Sequence, residues 1–555
     1  MTFPSARPAL SLLLSASFIG MALLGAVPVH GGMVAVIDDQ VKVDGASIWS
    51  NATVLEQIGA SCPAYRCAGS AGANSSADWI LSRFQDLGLE SWKEGFEFHG
   101  WDLSSDPSLR VTYNNGSSTE DATLTSFEAE HFSASTPSGG AEGEVIILPL
   151  PSSSSYSAFT GLSFDASSWQ DINIHDRIVL VGREVRWDGD YEGGLVEKLH
   201  EGPAALVFFY SQPWTSSFEV MFSASSGGRP LSGLGSYFHD QNVPVGSLSA
   251  EDADWIMERL EEGNVSARIS IDSREGVWTQ QNVVAFLPGD SEGSDQVLLT
   301  AHYDSVMDPG FCDNAASVAT MIEVASKLVT MKGSGGLGHT SSIGFITFTG
   351  EELGLVGSNY YFAMHASELD RVKAVINIDC LGAGTMTRTS TEPYQGVDLD
   401  SVVDRFADEV GIVSNFEDGS SDHTSFIFPN QVAMQIDARW GMGPQIDLDA
   451  EPVAGSISIF SAPLTLLDPY PAGVPGWIHT SRDSSSFCSS TGWVTESNLE
   501  DQGSVVLAVC LDLLVVAESS DGIALAFTPV LAAFAILVVA VAILVVALLL
   551  RRRPL

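Results

Sequence analysis

Three short apolar runs between Gln296 and Gly382 each end on residues able to hold a metal, and this pattern constrains the fold more than any other. VLLTA (Val297–Ala301) leads into His302 and Asp304. SIGFITFT (Ser342–Thr349) leads into Gly350-Glu351-Glu352, and VKAVINI (Val372–Ile378) leads into Asp379. Runs rich in Val, Ile, Phe and Thr, separated by helical patterns, read as buried strands of a largely parallel sheet. Ligands in such sheets collect outside the carboxyl ends of the strands. The three strand ends are therefore predicted to build one metal site.

The rest of the chain places this stretch in a larger frame. At 555 residues it exceeds a single ordinary core, so two folded domains are expected. Acidic residues outnumber basic ones 69 to 25, a net charge of −44, which leaves no basic footprint for nucleic acid. Arg7 followed by LSLLLSASFIGMALLGAV reads as a secretory signal peptide over residues 1–32. Val530–Leu550 is uncharged and long enough to cross a bilayer, and Arg551, Arg552 and Arg553 after it belong on the cytoplasmic side. The expectation is a single-pass membrane protein whose folded mass is extracytoplasmic. A linker at 518–529 precedes the span, and a tail at 551–555 follows it. Six cysteines in an exported chain permit disulfides. Cys62 and Cys67 are expected to pair locally, whereas Cys312 and Cys380 adjoin ligand candidates and are read either as partners or as ligands.

Helical patterns at Thr53–Gly59 and Ser75–Gly88 and a strand at Ser91–Trp101 form the first part of the main domain, residues 33–103. From 104 to 275 the texture changes to Ser/Gly-rich turns and short strands such as EVIILPL and DRIVLVG, which reads as a β-rich insertion. His175 and His200 within it stand apart from any paired acid and read as surface histidines. Residues 276–517 return to the main domain. There VWTQQNVVAFL reads as two strand pieces, Asp313 opens a helix, and a final helix runs from about Asn498 to Val516. Alternating strands and helices predict an α/β fold with a mixed, largely parallel sheet flanked by helices.

The chemistry follows from residue types at the strand ends. His302 and Asp304 are two apart, so the Asp304 carboxylate can accept from the ring nitrogen of His302 that does not bind metal. Taken alone, Asp313 after Pro309-Gly310 reads as a plain N-cap. Glu351 and Glu352, adjacent after a buried strand, need positive compensation. One can hold a metal while the other serves as general base. Asp379 closes the third strand. A second histidine is still required, and His423 in SSDHTSF and His479 in GWIHTSRDSSSF both qualify by spacing.

Together, His302-Tyr303-Asp304-Ser305, Pro309-Gly310 with Asp313-Asn314-Ala315, Gly350-Glu351-Glu352-Leu353-Gly354, Asn377-Ile378-Asp379 and His479-Thr480 with Asp483 resemble the zinc-dependent exopeptidase family M28. The resemblance covers Ser50–Leu103 loosely and Val277–Val516 well. The insertion, with DRIVLVG, GLVEKLHEGPAALVFFY and VPVGSLS, resembles a protease-associated domain. What the resemblance implies is a site with two zinc ions bridged by Asp313. His302 and Asp379 would complete one ion's protein ligands, and Glu352 and His479 the other's. Glu351 would be the general base and Asp304 the partner of His302. His479 is preferred to His423 because the family's last ligand sits in a similar context before the final helix. The implied activity is hydrolysis at a peptide terminus of peptide or protein substrates, with an aminopeptidase expected first and a homodimer left open. A glutamate carboxypeptidase-like enzyme, a glutaminyl cyclase-like acyltransferase and a non-catalytic receptor are the alternatives.

Overall fold

The structure, a computed structural model, describes residues 41–515 apart from 131, 149–168, 183–194, 196–197, 210–242, 291–294, 339–340, 392–393, 396, 410–414, 417–420, 429–454 and 463–476. The predicted signal peptide and the predicted span at 530–550 lie outside the described residues. Among the described residues, no helix is long and apolar enough to cross a membrane.

Asp44 caps helix α1 (Gly45–Ala60), its carboxylate accepting from the Ala46 and Ser47 amides. Ser70 caps α2 (Ala71–Asp86) through the Ala73 amide. The chain then enters strand β1 (Glu90–Leu103) and passes into a second sheet. That sheet is built from β2 (Ser108–Asn114), β3 (Thr119–Leu124), β4 (Glu128–Ala129), β5 (Ala141–Leu148), β6 (Ile178–Gly182), β7 (Ala205–Phe209), β8 (Val245–Ser247) and β9 (Asn264–Ser270). Helix α3 (Ala250–Glu262) precedes β9, and the strand order is β3-β2-β9-β5-β6-β7-β8-β4. Strands β5 to β8 run parallel, and the apolar β6 and β7 are buried at every residue, which fits burial on both faces.

The return strand β10 (Ser273–Leu287) is one continuous element rather than two pieces. It pairs with β1 along the whole length, from Leu103 opposite Ser273 to Glu90 opposite Phe286, so nothing interrupts it. The remaining elements are β11 (Gln296–His302), α4 (Ser317–Gly333), β12 (Ser342–Phe348), α5 (Val356–His365), β13 (Val372–Ile378), β14 (Thr385–Arg388), α6 (Leu399–Glu409), β15 (Asn415–Phe416), α7 (Thr424–Ile427), β16 (Ser456–Ala462), α8 (Ser485–Thr491) and α9 (Glu496–Leu514). The main sheet has the order β1-β10-β12-β11-β13-β16-β14-β15. Its centre, β12-β11-β13-β16, is parallel, and antiparallel strands flank it. Every residue of β12 and β13 is buried, which is why these segments read as largely apolar runs without strict alternation.

Two expectations are corrected here. Asp313 does not cap a helix. Asp313 and Asn314 have non-helical backbone angles, and regular helix begins only at Ser317. Nor do Cys62 and Cys67 pair, since all six cysteines are free. The intervening turns, closed by Tyr65 N–H to Cys62 O and Cys67 N–H to Ala64 O, roll Cys67 into the core. There its sulfur lies 3.4 Å from Met307 Sδ, while Cys62 stays half-buried.

Candidate metal centre

The carboxyl ends of β11, β12 and β13 meet at one place, as adjacency in a parallel sheet requires. His302 is the last residue of β11 and is almost completely buried. Its Nε2 lies 3.2 Å from Asp313 Oδ1 and 3.4 Å from Asp379 Oδ1. Its Nδ1 lies 3.2 Å from the backbone carbonyl oxygen of Asp304 and 3.6 Å from Asp304 Oδ1. A proton on Nδ1, facing that carbonyl, leaves the Nε2 lone pair for a cation. The carboxylate of Asp304 makes its hydrogen bonds elsewhere, accepting from the Glu351 and Glu352 amides at 3.2 and 3.4 Å. The predicted His302–Asp304 contact thus runs mainly through the backbone, and the side chain of Asp304 fixes the turn that presents the two glutamates.

The second histidine is His479. Its Nε2 lies 3.1 Å from Asp313 Oδ2 and 3.2 Å from Glu352 Oε2, and its backbone is held at a φ of 58°. Such left-handed non-glycine residues cost free energy and concentrate at functional sites. His423 is instead buried at the start of α7, where burial pulls its pKa down to about 4. Among the described residues it belongs to none of the His/Asp/Glu groupings able to hold an ion.

Asp379 follows β13 and accepts from Ser421 Oγ at 2.7 Å and from the Cys380 thiol at 3.2 Å. Ser421 is fixed in turn by Asn377, the strand residue two before Asp379, whose amide donates to Ser421 Oγ at 2.8 Å. Asp313 is oriented through its own backbone, because Asp483 accepts the amides of Cys312 and Asp313 at 2.7 and 2.9 Å.

The electrostatics are those of a cluster short of positive charge. Burial opposes protonation of both histidines, but the facing carboxylates, Asp379 for His302 and Glu352 for His479, hold both pKa values well above the ordinary value. Burial pushes Glu351 well above the usual carboxylate range; His302 opposes this, while Glu352, Asp379 and Asp422 add to it. Burial also raises Glu352, against the pull of His479. For Asp313, burial is outweighed by the facing rings of His302 and His479, and its pKa is lowered.

The donor set fits a metal. Asp313 Oδ1 and Glu352 Oε1 are buried and accept no hydrogen bond among the described residues, a costly arrangement unless a cation sits against them. His302, Asp313 and Asp379 form one group with ligand atoms within 4.8 Å of one another, and Asp313, Glu352 and His479 form another. Three N/O ligands with room for a further one suit catalytic zinc.

Sequence reasoning did not single out Arg66 or Asp308. Arg66 is wholly buried and donates to the carbonyl oxygens of Tyr303 at 3.0 Å, Pro309 at 2.6 Å and Gly310 at 2.7 Å, fastening the loop between His302 and Asp313. A lone arginine between two helices carries no sequence signal for that role. Asp308 lies in the same loop, buried, its carboxylate without a hydrogen-bond partner among the described residues.

Fold and site together define an α/β protein with a buried histidine–carboxylate cluster suited to metal. Residues 282–495 match the family model described as Peptidase family M28. A probable leucine aminopeptidase 2 of Trichophyton verrucosum is 24% identical over 439 residues, 76% of this chain and 79% of that protein. Aminopeptidase YwaD of Bacillus subtilis is 29% identical over 195 residues, 33% of this chain and 40% of that protein, so this match spans less than half of the relative. Among solved structures, BSAP, a zinc aminopeptidase from Bacillus subtilis, superposes with a TM-score of 0.57 at 21% identity, covering 86% of this chain and 97% of that one. The segment that matches this family model contains every residue of the two ligand groups.

Proposed function

We propose that the chain is an aminopeptidase working with two zinc ions. The observation that carries this reading is the division of Asp313, whose Oδ1 faces His302 and whose Oδ2 faces His479. Such a carboxylate suits a bridge, with His302 and Asp379 on one side and Glu352 and His479 on the other. Zinc bound there would polarise the scissile carbonyl and lower the pKa of the attacking water. Glu351 takes the water's proton on its carboxylate as the new C–O bond forms. It then delivers that proton to the peptide nitrogen as the C–N bond breaks. Burial raises the Glu351 pKa above the ordinary carboxylate value, the direction that favours holding a proton between the two steps. Asp304 holds the Glu351-Glu352 turn in position.

The aminopeptidase reading rests on the similarity to leucine aminopeptidases and a zinc aminopeptidase, and on the arginines. A carboxypeptidase would need a guanidinium for the terminal carboxylate. Arg388 is already engaged by Asp404 at 2.7 Å and Asp400 at 2.8 Å, and Arg482 stacks over Trp477 and Phe487. Arg439 lies outside the described residues. The convergence of all the ligand types favours catalysis over a non-catalytic receptor, and metal stoichiometry distinguishes two-zinc hydrolysis from a one-zinc cyclase.

The same proposal places the catalytic domain outside the cytoplasm, anchored by 530–550, with the 104–275 segment as a protease-associated-like module and with homodimerisation open. Its support is the uncharged run followed by three arginines. The purified full chain is to be assayed on aminoacyl substrates and on C-terminal peptide substrates, with chelation and zinc add-back. Release of N-terminal residues that is lost on chelation and restored by zinc is expected. Activity surviving thorough chelation overturns the metal mechanism, and activity confined to C-terminal residues overturns the aminopeptidase assignment.

A further inference from the structure

Cysteine residues stand directly beside two of the ligands, Cys312 before Asp313 and Cys380 after Asp379. Both are buried. The segments that carry them are stitched together. Asn314 Oδ1 accepts the Cys380 amide at 3.1 Å, and Asn314 Nδ2 donates to the Ile378 carbonyl at 3.2 Å. Ser317 Oγ accepts the Leu381 amide at 3.2 Å. Cys312 Sγ sits 3.9 Å from the carbonyl oxygen of Leu381, the residue after Cys380. Cys67, also buried, has its sulfur against Met307.

Both thiols are free in this structure; we propose that an oxidant joins Cys312 and Cys380 in a disulfide that clamps the arm carrying Asp313 to the arm carrying Asp379. The oxidant is an external disulfide, either a small thiol disulfide or a disulfide-exchange protein. One cysteine, as thiolate, attacks it and forms a mixed disulfide, releasing the first external thiol. The second cysteine then displaces the other half, so two protein thiols become one S–S bond while one external disulfide becomes two thiols. Because both sulfurs are buried, exchange occurs before the arms close or while the centre is empty of metal. The bond also removes the thiol proton that Cys380 donates to Asp379 Oδ1 at 3.2 Å, leaving that oxygen free for a cation.

The metal consequence rests on the zinc reading of the site, whereas the covalent link does not, and the test separates them. The full chain is produced in a disulfide-forming compartment, alkylated under denaturant, reduced, labelled again and mapped by mass spectrometry. Cys312 and Cys380 are expected to carry the second label. The first label on both, or a link from Cys312 to Cys488, whose thiol also feels Cys312, overturns the proposal. Should that preparation fail to fold, chain made in a reducing compartment is stripped with a chelator and treated with glutathione disulfide. Loss of two hydrogens across the pair is expected, and glutathione adducts or free thiols alone overturn it. Zinc release to a chelator is expected to be about tenfold slower from the oxidised protein than from a C312S/C380S variant, and equal rates overturn the clamp.

Discussion

The carboxylate of Asp483 accepts the backbone amides of both Cys312 and Asp313, and its own carbonyl oxygen accepts the Phe311 amide at 2.9 Å. The residue holding the bridging ligand in place thus lies four positions beyond the ligand His479, and one short segment sets both. Asp483→Ala removes the two acceptors and frees the Asp313 backbone. Metal affinity and kcat/KM are expected to fall together by about 10- to 100-fold. Zinc titration alongside kinetics checks this, and a variant with full zinc affinity and normal kinetics contradicts it.

Glu351→Gln keeps the shape of the side chain and removes its basicity. A loss in kcat of about 10²- to 10⁴-fold is expected with zinc content unchanged. Normal turnover by a folded, zinc-loaded variant would show that another group moves the proton.

Arg66→Met leaves three buried carbonyl oxygens without their donor. A destabilisation on the order of 3 kcal/mol is expected. It should appear as a lowered denaturant midpoint, with zinc binding weakened because the loop between His302 and Asp313 loosens. A midpoint equal to that of the unaltered protein contradicts the clamp.

His365 and Glu94 form a half-buried pair on α5 and β1, with Nε2 3.1 Å from Glu94 Oε2. The hydrogen bond to Glu94 raises the His365 pKa above 6.5. Glu94 is raised by burial but lowered more by His365, and ends below 4.5. The histidine's contribution is complete below 6.5 and is lost as pH rises through its folded-state pKa. The glutamate's is complete above 4.5 and is lost as pH falls through its own. The pair therefore stabilises most between those two values, by no more than about 1 kcal/mol. The difference in Tm between the unaltered protein and His365→Gln is expected to peak near pH 5.5 and to vanish under alkaline conditions. A difference independent of pH would assign the effect to packing.

The strands that end at the site were legible because burial on both faces forces long apolar runs, and β11, β12 and β13 begin and end close to where those runs do. The ligands were legible because each follows such a run. What escaped was whatever depended on distant partners. Asp313 looked like a cap because a cap and a bridging ligand share the same local sequence, and only Asp483 far downstream tells them apart. Asp304 was assigned to His302 by spacing, yet its carboxylate serves the Glu351-Glu352 turn on the neighbouring strand. Cys62 and Cys67 looked like a pair because sequence proximity says nothing about which way a turn rotates a side chain. Arg66 gave no signal, since its three acceptors are backbone atoms.

The long ribbon of β1 and β10 has a consequence for how the chain reaches its native state. The two strands are far apart in sequence, yet they pair along their whole length, with Leu103 opposite Ser273 where the second sheet begins. If that sheet forms first, it delivers the two strand ends side by side, and the ribbon can close from there toward the metal centre. The entropy of closing so long a loop is then met within the insertion before the peptidase sheet gains its edge. Lesions in the second sheet, remote from every ligand, would then slow folding of the catalytic half while leaving the finished site unchanged.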